Sequence, residues 1–130
     1  MADDLFNAAR AVMANAHAPY STFPVGAALR TESGAVYVGC NVENASYPEG
    51  WCAETGAIAA MVAAGETAIV EIAIVAGQMP LITPCGGCRQ RLAEFAGPGA
   101  RVHLCDGTGI ARTVTLGELL PRGFAMKADR

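Results

Sequence analysis

Three cysteines and one glutamate carry the chemistry open to this sequence. Cys52-Ala53-Glu54 is answered further along by Pro84-Cys85-Gly86-Gly87-Cys88. Thiolates at such spacing hold a divalent ion, zinc above all. A structural zinc site closes its shell with four protein ligands, whereas a catalytic one supplies three and keeps a place for water. The sequence offers a convincing three and no obvious fourth. Glu54, two residues past the first thiol, can reach a water at the metal without being a ligand. A general base works from that position.

Two helices must position these groups. Thr83 is a candidate cap and Pro84 suits a first turn, so a helix is expected to run from there to about Ala96, closed by Gly97-Pro98-Gly99. Cys85 and Cys88 are three apart, so both sulfurs of that first turn can face one point. Cys52 opens the other helix, an Ala-rich run over 52–64 stopped by Gly65. With both N-termini aimed at the ion, their positive ends lower the thiol pKa values and offset part of the charge. The offset matters, because Zn²⁺ with three thiolates carries a net charge of −1 and is a weaker Lewis acid than one held by neutral histidines. A carboxylate base beside the water makes up part of the difference.

The remaining pattern predicts a helix over 3–16, with Asp3 or Asp4 capping it and Leu5, Phe6, Ala9, Val12 and Met13 at helical spacing. Strands are expected over 25–31 and 35–42, joined by a Ser33-Gly34 turn as a hairpin, and over 68–76, 101–105 and 111–115. A short helix over 116–120 precedes Pro121 and a polar tail. Strands alternating with helices indicate an α/β layered domain with a mixed sheet. Between the hairpin and Cys52, Asn41-Val42-Glu43-Asn44-Ala45-Ser46-Tyr47-Pro48-Glu49-Gly50 is a polar connector of the kind that carries binding groups, although Asx turns in a solvated loop produce the same composition.

The 130 residues fit one domain, 1–130, with no internal repeat. Hydrophobic residues make up 52% and charged ones 16%, an apolar excess that suits subunit interfaces. A net charge of −3 without any basic cluster argues against a nucleic-acid polymer as partner. No apolar run reaches the ~20 residues of a membrane span. The acidic start Met1-Ala2-Asp3-Asp4 lacks the features of a signal peptide, so the protein is expected in the cytoplasm with its five cysteines as thiols.

Two readings compete with a catalytic centre. A Cys-x-x-Cys pair alone can be a redox couple, which needs neither Cys52 nor Glu54. A structural zinc needs a fourth ligand, for which His17, Cys40, His103 and Cys105 are the candidates. Cys40 and Cys105 lie in or at the ends of strands, where cysteine acts as a small hydrophobe. His17 beside a proline turn and His103 in a strand suit structural roles.

These residues together resemble the cytidine deaminases of the small, homotetrameric, three-cysteine kind. The likeness runs from Ala18-Pro19-Tyr20-Ser21-x-Phe23-x-Val25-Gly26-Ala27-Ala28 through Gly39-Cys40-Asn41-Val42-Glu43-Asn44-Ala45-Ser46-Tyr47. It continues through both cysteine motifs, including Arg89-Gln90, to Leu119-Leu120-Pro121-x-x-Phe124. It implies a three-layer α/β/α sandwich around a mixed five-stranded sheet, with one Zn²⁺ per subunit on Cys52, Cys85 and Cys88. It further implies that Glu54 is the catalytic proton carrier in hydrolytic deamination at C4 of the cytosine ring. By the same resemblance Asn41 and Glu43 anchor the ribose hydroxyls, backbone around Cys52 and Ala53 reads the base edge, and Phe23 packs against the base. Tyr47 and Phe124 come across subunit boundaries, so the active site is shared within a homotetramer. The expected substrates are cytidine and 2′-deoxycytidine, in pyrimidine salvage. Thr55 departs from the pattern: many relatives have an arginine directly after the glutamate, bonded to a zinc thiolate. Blasticidin-S deaminases, which act on another aminopyrimidine nucleoside, resemble the same scaffold and also lack that arginine. In this chain Arg89 or Arg91 is the candidate to take over part of its role.

Overall fold

The computed structural model describes residues 2–126; Met1 and the 127–130 part of the expected polar tail lie outside the described residues. The chain begins with helix α1 (Ala2–Met13), then strands β1 (Val25–Thr31) and β2 (Val36–Cys40). After one 3₁₀ turn (Tyr47–Glu49) come α2 (Ala53–Ala63), β3 (Ile69–Ala76), α3 (Gly86–Phe95), β4 (Arg101–Cys105), β5 (Ile110–Thr115) and α4 (Leu116–Leu119). All the expected elements form, with ends that shift by a few residues. Two capping expectations are corrected. Asp3 and Asp4 lie inside the first turn of α1, where their charge favours the positive helix end without capping it. Helix α3 starts at Gly86 with Cys85 as its N-cap, so Thr83 and Pro84 precede it.

The strands form one five-stranded mixed sheet in the order β2-β1-β3-β4-β5. The β1/β2 hairpin, β1/β3 and β4/β5 are antiparallel, while β3 and β4 run parallel across the α3 crossover. Strand alternation divides the interior into two layers. Ala27 and Leu29 of β1, Ile72 and Ile74 of β3, and Val102 and Leu104 of β4 face α2 and α3, where Met61, Leu92 and Leu116 complete one core. Ala28, Ala73, Val75 and Cys105 face the other way, against Leu5, Phe6 and Ala9 of α1. The result is the expected α/β/α sandwich. Each fully buried leucine or isoleucine contributes about 1.5–3 kcal/mol to holding the sheet between its helix layers.

Small residues let the helices sit close to the sheet. A Cβ at Gly26 would stand 2.0 Å from the Ala9 carbonyl oxygen, and one at Gly39 would stand 2.3 Å from the Ala57 nitrogen. Backbone therefore meets backbone where α1 crosses β1 and where α2 crosses β2. Helix α2 ends cleanly because Gly65 takes φ +91°, closed by its N–H to the Val62 carbonyl at 2.9 Å. A capping box between Thr115 and Glu118 starts α4.

One polar cluster interrupts the α1-side layer. Glu71 on β3 bonds Arg30 Nε of β1 at 2.9 Å and His103 Nε2 of β4 at 2.8 Å. The other imidazole nitrogen of His103 meets Thr113 Oγ1 of β5 at 2.8 Å. Arg30 also pairs with Asp4 of α1 at 2.7 Å. His103 is therefore a structural residue, far from any role as a fourth ligand.

Candidate active site

Both zinc-type motifs fall at helix starts, and the fold brings those starts together. Cys52 is the N-cap of α2 and Cys85 the N-cap of α3, each in extended backbone conformation. Cys88 follows within the first turn of α3 and is fully buried, while Cys85 is exposed. The Cys52 and Cys85 sulfurs are 3.7 Å apart, and all three thiol sulfurs lie within 4.8 Å of one another. Among the described residues no other group of His, Cys, Asp or Glu comes together in this way. Three soft donors converging on one point, with no fourth residue in the group, fit one Zn²⁺ with a coordination place to spare.

The parallel β3/β4 pair is what makes the convergence possible. Helix α2 leads into β3 and α3 leads out of it, so both N-termini sit at the same end of the sheet. Gly39 presses the first turn of α2 against β2, since its Cβ would lie 2.4 Å from the Ala53 carbonyl oxygen. The residue after that carbonyl is Glu54.

Glu54 is only 4% exposed. Burial, reinforced by negative charge on Cys52, pushes its carboxyl up to about 6. Cys88 donates to Cys52, which draws the Cys52 thiol down to about 6, with Cys85 and Arg91 adding to the effect. The same interaction together with burial holds the Cys88 thiol up.

Glu54, Cys52 and Cys85 line a cavity of about 540 Å³ that is also walled by Tyr20, Asn41, Glu43, Trp51 and Ile82 among others. That volume suits a ligand of nucleoside size. Asn41 and Glu43 enter it already engaged. Asn41 Oδ1 accepts from the Val25 N–H and its Nδ2 donates to the Phe23 carbonyl, both at 2.9 Å. Glu43 accepts from the N–H groups of Tyr20 and Ser21 at 3.0 and 3.1 Å, and from the Ser21 hydroxyl. The Ser21 hydroxyl and amide hold the Glu43 carboxyl below the usual range.

Ala53 and Tyr47 also line the cavity, Tyr47 with its ring 6.0 Å from that of Tyr20. Tyr47 thus borders the cavity of its own chain. Phe23 and Phe124 are not among the cavity walls within one chain. Phe23 takes part through its carbonyl, held by Asn41, and Phe124 is 68% exposed with its carbonyl accepting from Gln90. Trp51, Ser21, Tyr20 and Ile82 are among the cavity residues to which the sequence reading gave no site role. The signal for Trp51 was an aromatic residue placed directly before the first thiol.

The two arginine candidates separate. Arg89 donates to the Pro84 and Leu119 carbonyls at 2.8 and 2.9 Å, tying the start of α3 to α4. Arg91 Nη1 instead reaches Cys88 Sγ at 3.8 Å. Thr55 contributes nothing to the cluster, and its buried hydroxyl has no hydrogen-bond partner.

Residues 1–103 match the family described as "Cytidine and deoxycytidylate deaminase zinc-binding region". A cytidine deaminase of Sporosarcina psychrophila is 42% identical over 85% of this chain and 81% of its own length. One from Mycobacterium tuberculosis is 41% identical over 87% and 81% respectively. Among solved structures, cytidine deaminase from Burkholderia pseudomallei superposes with a TM-score of 0.88 at 45% identity, covering 93% of this chain and 97% of that one. The Mycobacterium tuberculosis enzyme gives 0.84 at 38% identity, covering 95% and 96%.

Proposed function

Because this chain belongs to the cytidine and deoxycytidylate deaminase family, we propose that it is a zinc-dependent aminohydrolase converting cytidine and 2′-deoxycytidine to uridine and 2′-deoxyuridine, with release of ammonia, in pyrimidine salvage. One observation carries the reading: a buried carboxylate with its pKa raised to about 6 stands beside three convergent thiols on the wall of a nucleoside-sized cavity. Cys52, Cys85 and Cys88 hold the zinc. Bound there, zinc supplies Lewis-acid activation of water.

The chain's own groups do the rest. Near pH 7 Glu54 is mostly ionised yet close enough to its pKa to both take and return a proton. It accepts the first proton of the attacking water and delivers it to N3 of the cytosine ring; it then takes the remaining proton from the new C4 hydroxyl and passes it to the amino group, so that C4–N4 breaks, ammonia leaves and the C4 carbonyl forms. Backbone at Cys52 and Ala53 reads the base edge. Asn41 and Glu43 hold the ribose hydroxyls, and their existing bonds to the 20–25 segment fix them before the substrate arrives. Such preorganisation lowers the entropic cost of binding.

Tyr47 borders the cavity from its own chain, and Phe23 and Phe124 complete it in a homotetramer with shared sites. Exposed Tyr47 and Trp51 at the cavity wall, and exposed Phe124 outside it, support this arrangement, since large apolar side chains open to water suit burial by another subunit. The whole chain acts as one domain. It works in the cytoplasm, where five free thiols persist. The acidic net charge of −3 suits a free nucleoside better than a polymer, and among the described residues no helix is long and apolar enough to cross a membrane.

The test is ammonia release from the zinc-loaded protein given cytidine, with blasticidin S in parallel. Release from cytidine supports the proposal. Release from blasticidin S alone transfers the same chemistry to another aminopyrimidine nucleoside. Glu54→Gln is expected to lose about 10³-fold or more in kcat while keeping its zinc, the scale of a lost general acid–base group. Retained turnover in that variant overturns the role of Glu54.

A further inference from the structure

We propose that Arg91 is a positioning residue of the metal centre: its guanidinium neutralises and orients the Cys88 thiolate, and the missing side chain at Gly87 gives it room to do so. The inference rests on the zinc reading above. Cys88 is the one ligand with no solvent exposure, so water cannot solvate a charge on its sulfur. A buried thiolate needs a donor, and Arg91 Nη1 stands 3.8 Å from it, one turn along the same helix.

The path of the guanidinium is specific. A Cβ built on Gly87 would lie 3.1 Å from Arg91 Nη1, 3.7 Å from its Cζ and 3.9 Å from its Nη2. The planar head therefore lies across the space a side chain at position 87 would fill. Of the neighbouring candidates, Arg89 is committed to two carbonyls, and the Thr55 hydroxyl makes no hydrogen bond to a sulfur or to any other group. With three thiolates the zinc centre carries −1, and the positive charge of Arg91 offsets it. A bonded partner behind a ligand sets that ligand's basicity and orientation, and removing one typically weakens metal binding by about 10–100-fold.

The experiment is zinc competition against a chromophoric chelator, paired with the thiolate-to-cobalt charge-transfer spectrum of the Co²⁺-substituted protein. Wild type is compared with Arg91→Ala, Arg91→Lys, Gly87→Leu and Arg89→Ala. Arg91→Ala is expected to bind zinc about tenfold more weakly and to shift the cobalt band, and lysine to restore most of both. Gly87→Leu keeps the arginine but displaces its head, so it is expected to behave like Arg91→Ala. Arg89→Ala is expected to lower the melting temperature without moving the band. Arg91 is exposed and alanine is a strong helix former, so the variant keeps its fold. Zinc affinities within twofold of wild type and superposable cobalt spectra for Arg91→Ala overturn this inference alone. A wild-type protein that binds no zinc overturns the functional reading as well.

Discussion

Gly39→Ala tests how the metal helix is seated. The added methyl would stand 2.3 Å from the Ala57 nitrogen, 2.4 Å from the Ala53 carbonyl oxygen and 2.8 Å from the Gly56 carbonyl carbon. All three are backbone atoms of α2, so no side chain can swing aside. Ordinary contact needs about 1 Å more, and the helix start must move off β2 by roughly that distance. Overpacking of this kind costs about 1–3 kcal/mol. For a domain of this size each kcal/mol is worth about 4 °C, so thermal melting is expected to fall by about 4–12 °C. The shifted segment carries Cys52 and Glu54, and a misplacement near 1 Å at reacting groups costs about 10²-fold in rate. The assay is a melt followed by circular dichroism, alongside kcat/KM for cytidine. Gly97→Ala is the control, because nothing lies within 4 Å of a Cβ there. A Gly39→Ala protein with wild-type melting and full kcat/KM would refute the claim that backbone contact at Gly39 places the catalytic turn.

Three further outcomes follow from other parts of the molecule. Burial pushes the Glu71 carboxyl up, but its bonds with His103 and Arg30 outweigh that and leave it below its ordinary 4.5. A carboxyl depressed in the folded state contributes stability above its unfolded pKa that is lost as pH falls through the lower folded value. Urea unfolding is therefore expected to show stability dropping below about pH 4.5, and Glu71→Gln to cost about 2–4 kcal/mol at pH 7 while flattening that acid limb. Removing zinc with a chelator is expected to abolish deamination reversibly and leave the far-ultraviolet dichroism intact, because neither core layer includes one of the three thiol ligands. Its melting temperature should fall, as loss of a ligand that binds only the native state requires. Phe124→Ala is expected to lower kcat/KM more than melting temperature, with wild-type activity falling on dilution. Sedimentation showing a fully active monomer would contradict the shared site.

Local chemistry made much of the site readable in the residues themselves. Cys85 and Cys88 at i and i+3 can face one point in any helix, and Cys52 before an alanine-rich run marks a helix start. These are properties of a few consecutive residues, so Cys52, Glu54, Cys85 and Cys88 stood out without a fold. Strand alternation likewise set which residues face which layer: Ile72 and Ile74 look one way, Ala73 and Val75 the other. Tertiary structure decided what depends on distant segments meeting. Glu71, a lone charge in an apolar strand, finds Arg30 and His103 only because β1 and β4 flank β3. Glu43 finds Ser21 because the segment before β1 folds back over the end of β2. The choice between Arg89 and Arg91 required coordinates too. Both ride on α3, and a rotation of two residues around the helix directs one to carbonyls at the α4 junction and the other to a thiol, a difference that spacing alone cannot express.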